Sequence, residues 1–481
     1  MAGTVKEVAR PLEKLPPGPP GWPFLGWRRN AIKMARDPLV FLLKLHQEYG
    51  PVVNLAQNSH KYIFAFGPAL NRQILSDQNL FHNPSVKEGS MPFKSPPGSA
   101  ALRLSTSMAL LNGEDHKRTR RLIMPAFHKK RVEAYHNEIL RLTEEHLATW
   151  RPGQTVELLQ EMRRLTLLVA SKALLGLDTS QAGEKTRLLL QRWIDLSFDP
   201  LTILAPYNLP GLPYHKFVKL SEEVERVLQA IIWWKRESGI DSGDVLSMLL
   251  QSKDEEGNQL ENRELGGQLI SLLTAGHETT AISLVWTLFL LLQHPAILAG
   301  LLDEVSSTAQ GQWPTPEQLN SLKLMDNVIR ESMRLFSPIP FSQRVSTAPF
   351  SLDAYELPGG TNLIYSPAVT HRLPELYPEP ARFNPARWET INPSIYEYLP
   401  FGAGPRLCIG SSFAWMEMKI ILTLILQKFS LQLLPNSRID RVGFFFLEPK
   451  AMPVKLETPE SFTIRKRETI GGNVRKVVDL E

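Results

Sequence analysis

The chain holds a single cysteine, Cys408, in the stretch FGAGPRLCIG at residues 401–410. A lone cysteine usually packs as a small hydrophobe. This one is framed by Gly402, Gly404 and Gly410, which permit close backbone approach, and by Arg406 two positions upstream. A helical pattern begins directly after it. A cation and a helix N-terminus both favour a thiolate, so a lowered thiol pKa is expected. A thiolate is a nucleophile or a metal ligand. The nucleophile reading needs a histidine base, and none of the 11 histidines sits in a cysteine-hydrolase signature. The ligand reading needs a metal that accepts one thiolate, for which haem iron is the prime candidate.

Other residues could act with it. AGHETT at 275–280 places Glu278 and Thr279, an acid and an alcohol, in the middle of a long apolar helical pattern. By themselves they read as a surface carboxylate and a hydroxyl bonded back to the preceding turn. Glu331 and Arg334 in ESMR lie one helical turn apart and can form an ion pair, most often a surface pair of little consequence. Residues 117–131, KRTRRLIMPAFHKKR, carry seven Lys/Arg and no acid. Such a run is either a solvated helix face or an edge for an anionic partner.

The elements that must position these groups are mostly helical. Long 3.6-residue periods run through 132–149, 155–175, 218–239 and 263–292, and a last long helix follows Gly410. Strand signals cluster in two places. Near the N-terminus they are VVNLA and YIFAF; after Ser337 they are FSQRVS and FSLDAYELPGGTNLIYSP, with Pro358-Gly359-Gly360 as turn chemistry between alternating runs. Residues 15–26 hold five prolines and form an extended lead-in. The segment 457–481 reads as a polar, mobile tail with five Lys/Arg. The expected organisation is a lead-in over 1–26, one domain over 27–456 and that tail.

Composition agrees with one large folded unit. Of 481 residues, 43% are hydrophobic and 21% charged, and the formal net charge is +5. One cysteine excludes an internal disulfide and a multi-cysteine metal site. The apolar run Ala281 to Leu292 is shorter than the ~20 residues of a membrane span, so no span is expected. The N-terminus has no signal-peptide core, and a cytoplasmic location is expected. Nothing points to nucleic acid.

The loop at 401–410 resembles the haem-binding loop of the cytochrome P450 family, F-x-x-G-x-R-x-C-x-G, at Phe401, Gly404, Arg406, Cys408 and Gly410. The other motifs follow in the family's order. AGHETT resembles its oxygen-activation motif, ESMR its E-x-x-R helix, and FNPARW at 383–388 the segment that supplies a third member, Arg387; Ala386 stands where the family often has Glu. GEDHKRTRRL at 113–122 is similar to its propionate-binding helix, with His116 in place of a frequent Trp, and Arg120 four residues on.

The resemblance implies a mainly α (α+β) fold, a single large helical domain with small β-sheets near the N-terminus and after the E-x-x-R helix. It implies haem b with Cys408 as proximal thiolate ligand and Arg406, His116, Arg120 and Arg344 around the propionates. Gly276 would leave room beside the flat cofactor. Thr279 would hydrogen-bond the bound oxygen in a locally opened helix turn, with Glu278 feeding protons through water. Glu331, Arg334 and Arg387 would form a structural triad. The implied reaction is insertion of one atom of dioxygen into an apolar fatty acid, terpenoid, steroid or polyketide-like substrate. Electrons would come from a separate ferredoxin, flavodoxin or flavin reductase docked on the basic face around Lys117–Arg131. The protein would act as a monomer. Cavity walls are expected from 91–110, the helix around Ala275 and residues 337–342. The competing readings are a peroxide-dependent oxygenase or hydroperoxide rearrangement enzyme of the same haem-thiolate type, and a haem-free helical binding protein or cysteine hydrolase.

Overall fold

The computed structural model describes residues 15–21, 26–57, 61–85, 95–461 and 469–480. Parts of three expectations, residues 22–25 of the lead-in, 91–94 of the cavity wall and 462–468 of the tail, lie outside these. The architecture is mainly helical with small sheets.

The organising element is the helix Asn262–Gln293, opened by a reciprocal capping box between Glu261 and Glu264. From Ala281 to Leu291 every residue is buried, so this helix is apolar all round and runs through the core. It is long and apolar enough to cross a membrane, yet 78% of its most apolar window is covered by the rest of the fold. Trp286 anchors it: the indole stacks on Phe336 at 4.2 Å, and its Nε1 donates to the Leu447 carbonyl at 2.7 Å. Gly267 lets the Ala100–Ser105 segment lie against it. A Cβ there would stand 2.4 Å from the Thr106 carbonyl oxygen.

The largest sheet has five strands in the order Val52–Asn54, Tyr62–Ala65, Asn362–Tyr365, Ser342–Ser346 and Phe81–His82. Tyr62–Ala65 pairs parallel to Asn362–Tyr365, with Phe64 opposite Ile364. The remaining pairs are antiparallel, with Arg344 opposite Leu363. The turn at Pro358–Gly360 does not join a hairpin within this sheet. The hairpin is Phe350–Leu352 with Tyr355–Leu357, turned at Asp353 with φ 52°, and Pro358–Gly360 carries the chain from it into Asn362–Tyr365. Asp tolerates the left-handed region, so Asp353-Ala354 competes successfully as the turn.

Three further expectations change. The helix expected over 155–175 begins at Leu158, because Thr155–Glu157 pairs as a strand with Pro453–Glu457. Residues 30–49, whose sequence also carries a helical period ending at Tyr49-Gly50-Pro51, form two helices, Arg28–Arg36 and Pro38–Tyr49, divided at Asp37-Pro38. The described part of the tail is docked. Ile470, Val474, Val477 and Val478 are buried in the main apolar core, and Ile439 N–H donates to the Gly471 carbonyl at 3.0 Å. Four aliphatic side chains suffice to bury a segment whose average composition is polar. The lead-in is tied down too: Asn54 donates to the carbonyls of Pro16 and Pro17, each at 2.7 Å.

Candidate active site

The cysteine loop is held by its own backbone. Cys408 N–H donates to the Phe401 carbonyl at 2.9 Å, closing the loop on itself. Gly402 and Gly404 take φ of 73° and 69°. At Gly404 a Cβ would stand 2.2 Å from the Leu75 carbonyl oxygen, so only glycine fits on both counts. The helix Ser411–Lys428 starts beyond Gly410. The Cys408 thiol faces a cavity of about 400 Å³.

The thiol is exposed into that cavity, although protein atoms crowd round it on its other sides. Burial pushes the Cys408 thiol up, opposed by the Gly410 amide and by Arg120. The expected lowering is therefore not what the surroundings of the sulfur produce. Arg406 does not face the sulfur. Its guanidinium donates to the Leu111 carbonyl at 2.6 Å and to Asn112 Oδ1 at 2.8 Å, binding this loop to residues 108–112.

Arg406, Arg120, Arg344 and His116 all line the cavity. Arg120 donates to the Leu407 carbonyl at 2.9 Å and Arg344 to the Gln343 carbonyl at 2.8 Å, so these described bonds end on neutral oxygens. His116 Nδ1 is buried without a hydrogen-bond partner. Burial, then Arg406, Arg120, Arg344 and Lys117, hold its pKa down at about 4. Several cations crowded round one cavity wall, with an orphaned ring nitrogen among them, make a site for anionic groups.

The central helix forms another wall through Ala275, Gly276, Thr279, Thr280 and Ser283. A Cβ at Gly276 would meet nothing within 4 Å, so that glycine leaves open space over the cavity. Thr279 Oγ1 donates to the Ala275 carbonyl at 2.7 Å and Thr280 Oγ1 to Gly276 at 2.9 Å. The helix is nevertheless continuous from Asn262 to Gln293, so the expected local opening is absent. Back-bonding hydroxyls add to the helical ladder here without replacing it. Glu278 does not line the cavity. It is buried on another face of the helix, 2.9 Å from Arg163 Nε.

The expected triad is assembled in the core. Glu331, Arg334 and Arg387 are all buried. Arg334 binds Glu331 through two nitrogens at 2.9 Å each, and Arg387 Nε donates to Glu331 Oε1 at 2.8 Å. The sequence reading missed a fourth member: Trp388 Nε1 donates to Glu331 Oε2 at 3.0 Å. Its signal was adjacency to Arg387. Also missed were Asn112, which holds Arg406, and His371, whose Nε2 accepts from the Leu399 amide at 2.8 Å. No local pattern pointed to either.

The basic run is less cationic than its sequence suggests. Lys117 pairs with Glu114 and Arg118 with Asp254, both at 2.7 Å, and Arg121 pairs with Glu255. Those carboxylates come from the start of the same helix and from a loop more than 130 residues away, which the run itself could not reveal.

A thiol open to a cavity, a glycine leaving space above it and a cationic, partly orphaned wall fit one haem b, with its iron, apolar ring and two propionates. Comparisons with known proteins agree. The family profile described as Cytochrome P450 matches residues 16–453. A Streptomyces melanosporofaciens protein, cyclooctat-9-en-7-ol 5-monooxygenase, is 31% identical over 90% of this chain and 93% of its own length. Cyclooctatin synthase from the same organism is 30% identical over 88% and 91%. Among solved structures, a retinoic acid bound cyanobacterial CYP120A1 is 27% identical and superposes with a TM-score of 0.78 over 92% of this chain and 99% of that one. The heme domain of cytochrome P450DA, 24% identical over 93% of this chain and 99% of its own, shares the fold with a TM-score of 0.80. The chain belongs to the cytochrome P450 family, and is a haem-thiolate, oxygen-incorporating oxidoreductase.

Proposed function

We propose that this monooxygenase oxygenates an apolar, terpenoid-sized molecule, taking electrons from a separate ferredoxin, flavodoxin or flavin reductase and working as a cytoplasmic monomer. The observation that carries the reading is one cavity that brings together Cys408, Gly276, Thr279 and the propionate-type cations. The names of two relatives support the substrate class: one denotes 5-monooxygenation of cyclooctat-9-en-7-ol and the other a complex with retinoic acid.

Haem bound there supplies reductive activation of dioxygen and transfer of one oxygen atom. The chain supplies the rest. Cys408 would hold the haem iron through the thiolate sulfur. Arg120, Arg344, Arg406 and His116 hold the propionates. Thr279 Oγ1, now bonded to the Ala275 carbonyl, is the cavity hydroxyl that can hold and pass a proton. Glu278 supplies protons to it from outside the cavity. Leu272, Ile339 and Pro338 shape an apolar space that keeps out water. Electron donors dock on the face carrying Lys117–Arg131, where Lys130 is exposed beside Lys129, itself 3.9 Å from Glu133.

The reduced carbon monoxide difference spectrum of the purified protein tests this reading. A thiolate-type Soret shift in the unmutated protein, lost in Cys408→Ser, is expected; a colourless protein would overturn it. Turnover with NAD(P)H and surrogate redox partners is expected to exceed turnover with peroxide. Product from peroxide alone would assign the peroxide-dependent chemistry instead.

A further inference from the structure

Beside the cavity, four elements bring titratable groups into one place. Arg163 comes from the helix Leu158–Leu175, Gln191 and Asp195 from Gln181–Phe198, His277 and Glu278 from the central helix, and Glu448 from the strand Glu448–Pro449. Arg163 is forked between two carboxylates, with Nε 2.9 Å from Glu278 Oε2 and Nη2 2.5 Å from Glu448 Oε2. Gln191 Nε2 lies 2.8 Å from Asp195 Oδ1 and 3.4 Å from Glu278 Oε1, bridging the third acid to the first. His277 brings no charge, since burial holds its pKa down at about 3. None of these groups lines the cavity, and the next residue, Thr279, does.

Glu278 and Glu448 thus share one guanidinium, and Gln191 ties the exposed Asp195 to Glu278. With all three ionised these groups carry a net formal charge of minus two, with Glu278 buried and Glu448 partly so, which favours holding one proton. We propose that Glu448 is a positioning residue for proton delivery, sharing Arg163 with Glu278 so that its own protonation decides how firmly Glu278 is held away from the cavity. When Glu448 is neutral, Arg163 is committed to Glu278. When Glu448 is ionised it draws Arg163 toward itself and frees Glu278 for the Thr279 side. Only an O–H bond is made and broken: Glu448, whose side chain is 22% exposed, takes that proton from water and returns it there. Burial raises the pKa of Glu448 against Arg163, with Glu278 adding to the rise; burial likewise raises Asp195, against its bond from Gln191. Both directions agree with a shared proton. This inference rests on the monooxygenase reading for its consequence, but not for the carboxyl cluster itself.

The test uses the haem-loaded protein and two readouts. In the resting enzyme, without turnover, infrared titration is expected to show a protonated-carboxyl component, additional to that of buried Glu417, persisting above the ordinary carboxyl range and lost in Glu448→Gln. In turnover, Glu448→Gln fixes the neutral state, so product formation is expected to fall on the order of tenfold, less than the ~10² from losing a direct proton donor. Peroxide release should rise, and the acid limb of the pH profile should disappear. Glu448→Asp should restore the limb. Asp195→Asn, at the exposed edge, removes a like charge and should move the limb to lower pH. An unchanged infrared band and pH profile in Glu448→Gln would overturn the proposal. If that variant does not load haem, unchanged readouts in Asp195→Asn would overturn it. A missing thiolate-type spectrum in the unmutated protein would instead sink the functional reading and leave the infrared result intact.

Discussion

Glu331 and Arg387, 56 positions apart, meet at 2.8 Å in the core, and the same carboxylate also takes Arg334 and Trp388. The Asn384 amide donates to the same Oε1 at 3.0 Å and fixes the start of the turn that carries Arg387 and Trp388. Replacing Glu331 by Ala leaves two buried guanidinium groups without their carboxylate, a loss of about 3–5 kcal/mol. Little haem-loaded protein is expected, measured as haem absorbance per polypeptide after purification. Trp388→Phe removes one hydrogen bond of about 1 kcal/mol. It should lower the melting temperature while preserving the carbon monoxide spectrum.

The loop before Cys408 makes a sharper demand. Gly404→Ala places a Cβ against the Leu75 carbonyl oxygen and forces a left-handed residue costing about 1–2 kcal/mol before any clash. The thiolate-type Soret shift should weaken or vanish although Cys408 is intact. A normal spectrum would show that the Phe401–Cys408 hydrogen bond tolerates displacement of the loop.

Thr279→Ala deletes a hydroxyl that makes one hydrogen bond within its own helix and faces the cavity. Stability should hardly change, because Ala is the better helix former. Coupled product formation should fall ~10²-fold, with peroxide appearing in its place. Unchanged coupling would remove Thr279 from the proton path.

Glu417, on the helix after the cysteine loop, is fully buried, and neither carboxylate oxygen has a hydrogen-bond partner. Burial pushes its pKa well above the ordinary 4.5. A raised folded-state pKa means that its contribution is present below the unfolded value and is lost as pH rises through the folded one. Glu417→Leu should therefore match the parent in stability in acid and exceed it increasingly above pH 4.5, by about 1–3 kcal/mol where the unpaired group is most costly. Thermal melts at acid and neutral pH measure the difference, and a constant gap across pH would contradict it.

Much was legible in short patterns because each answers a local physical need. Gly404 is dictated by a left-handed turn, and Glu331 with Arg334 by the pitch of a helix. The all-round apolar character from Ala281 to Leu292 already marked a buried helix. Local patterns misled where a distant partner decided the outcome. Thr155–Glu157 became a strand because Pro453–Glu457 lies beside it, and the polar segment after 456 docked through four scattered aliphatic residues.

The sequence by itself determined the cysteine loop, the long central helix and the order of the motifs, since spacing along one chain settles which residues share a turn or a helix face. Direction in space was decided by the tertiary structure. Arg406 turned to Leu111 and Asn112 and not to the sulfur, burial raised the thiol that its neighbours were expected to lower, and Glu278 turned outward to Arg163. Desolvation accounts for the thiol; for the two turned side chains the physical reason is shared. A charge settles where the nearest opposite charge or dipole lies in a low-dielectric surrounding, and those partners come from elements that only folding brings together.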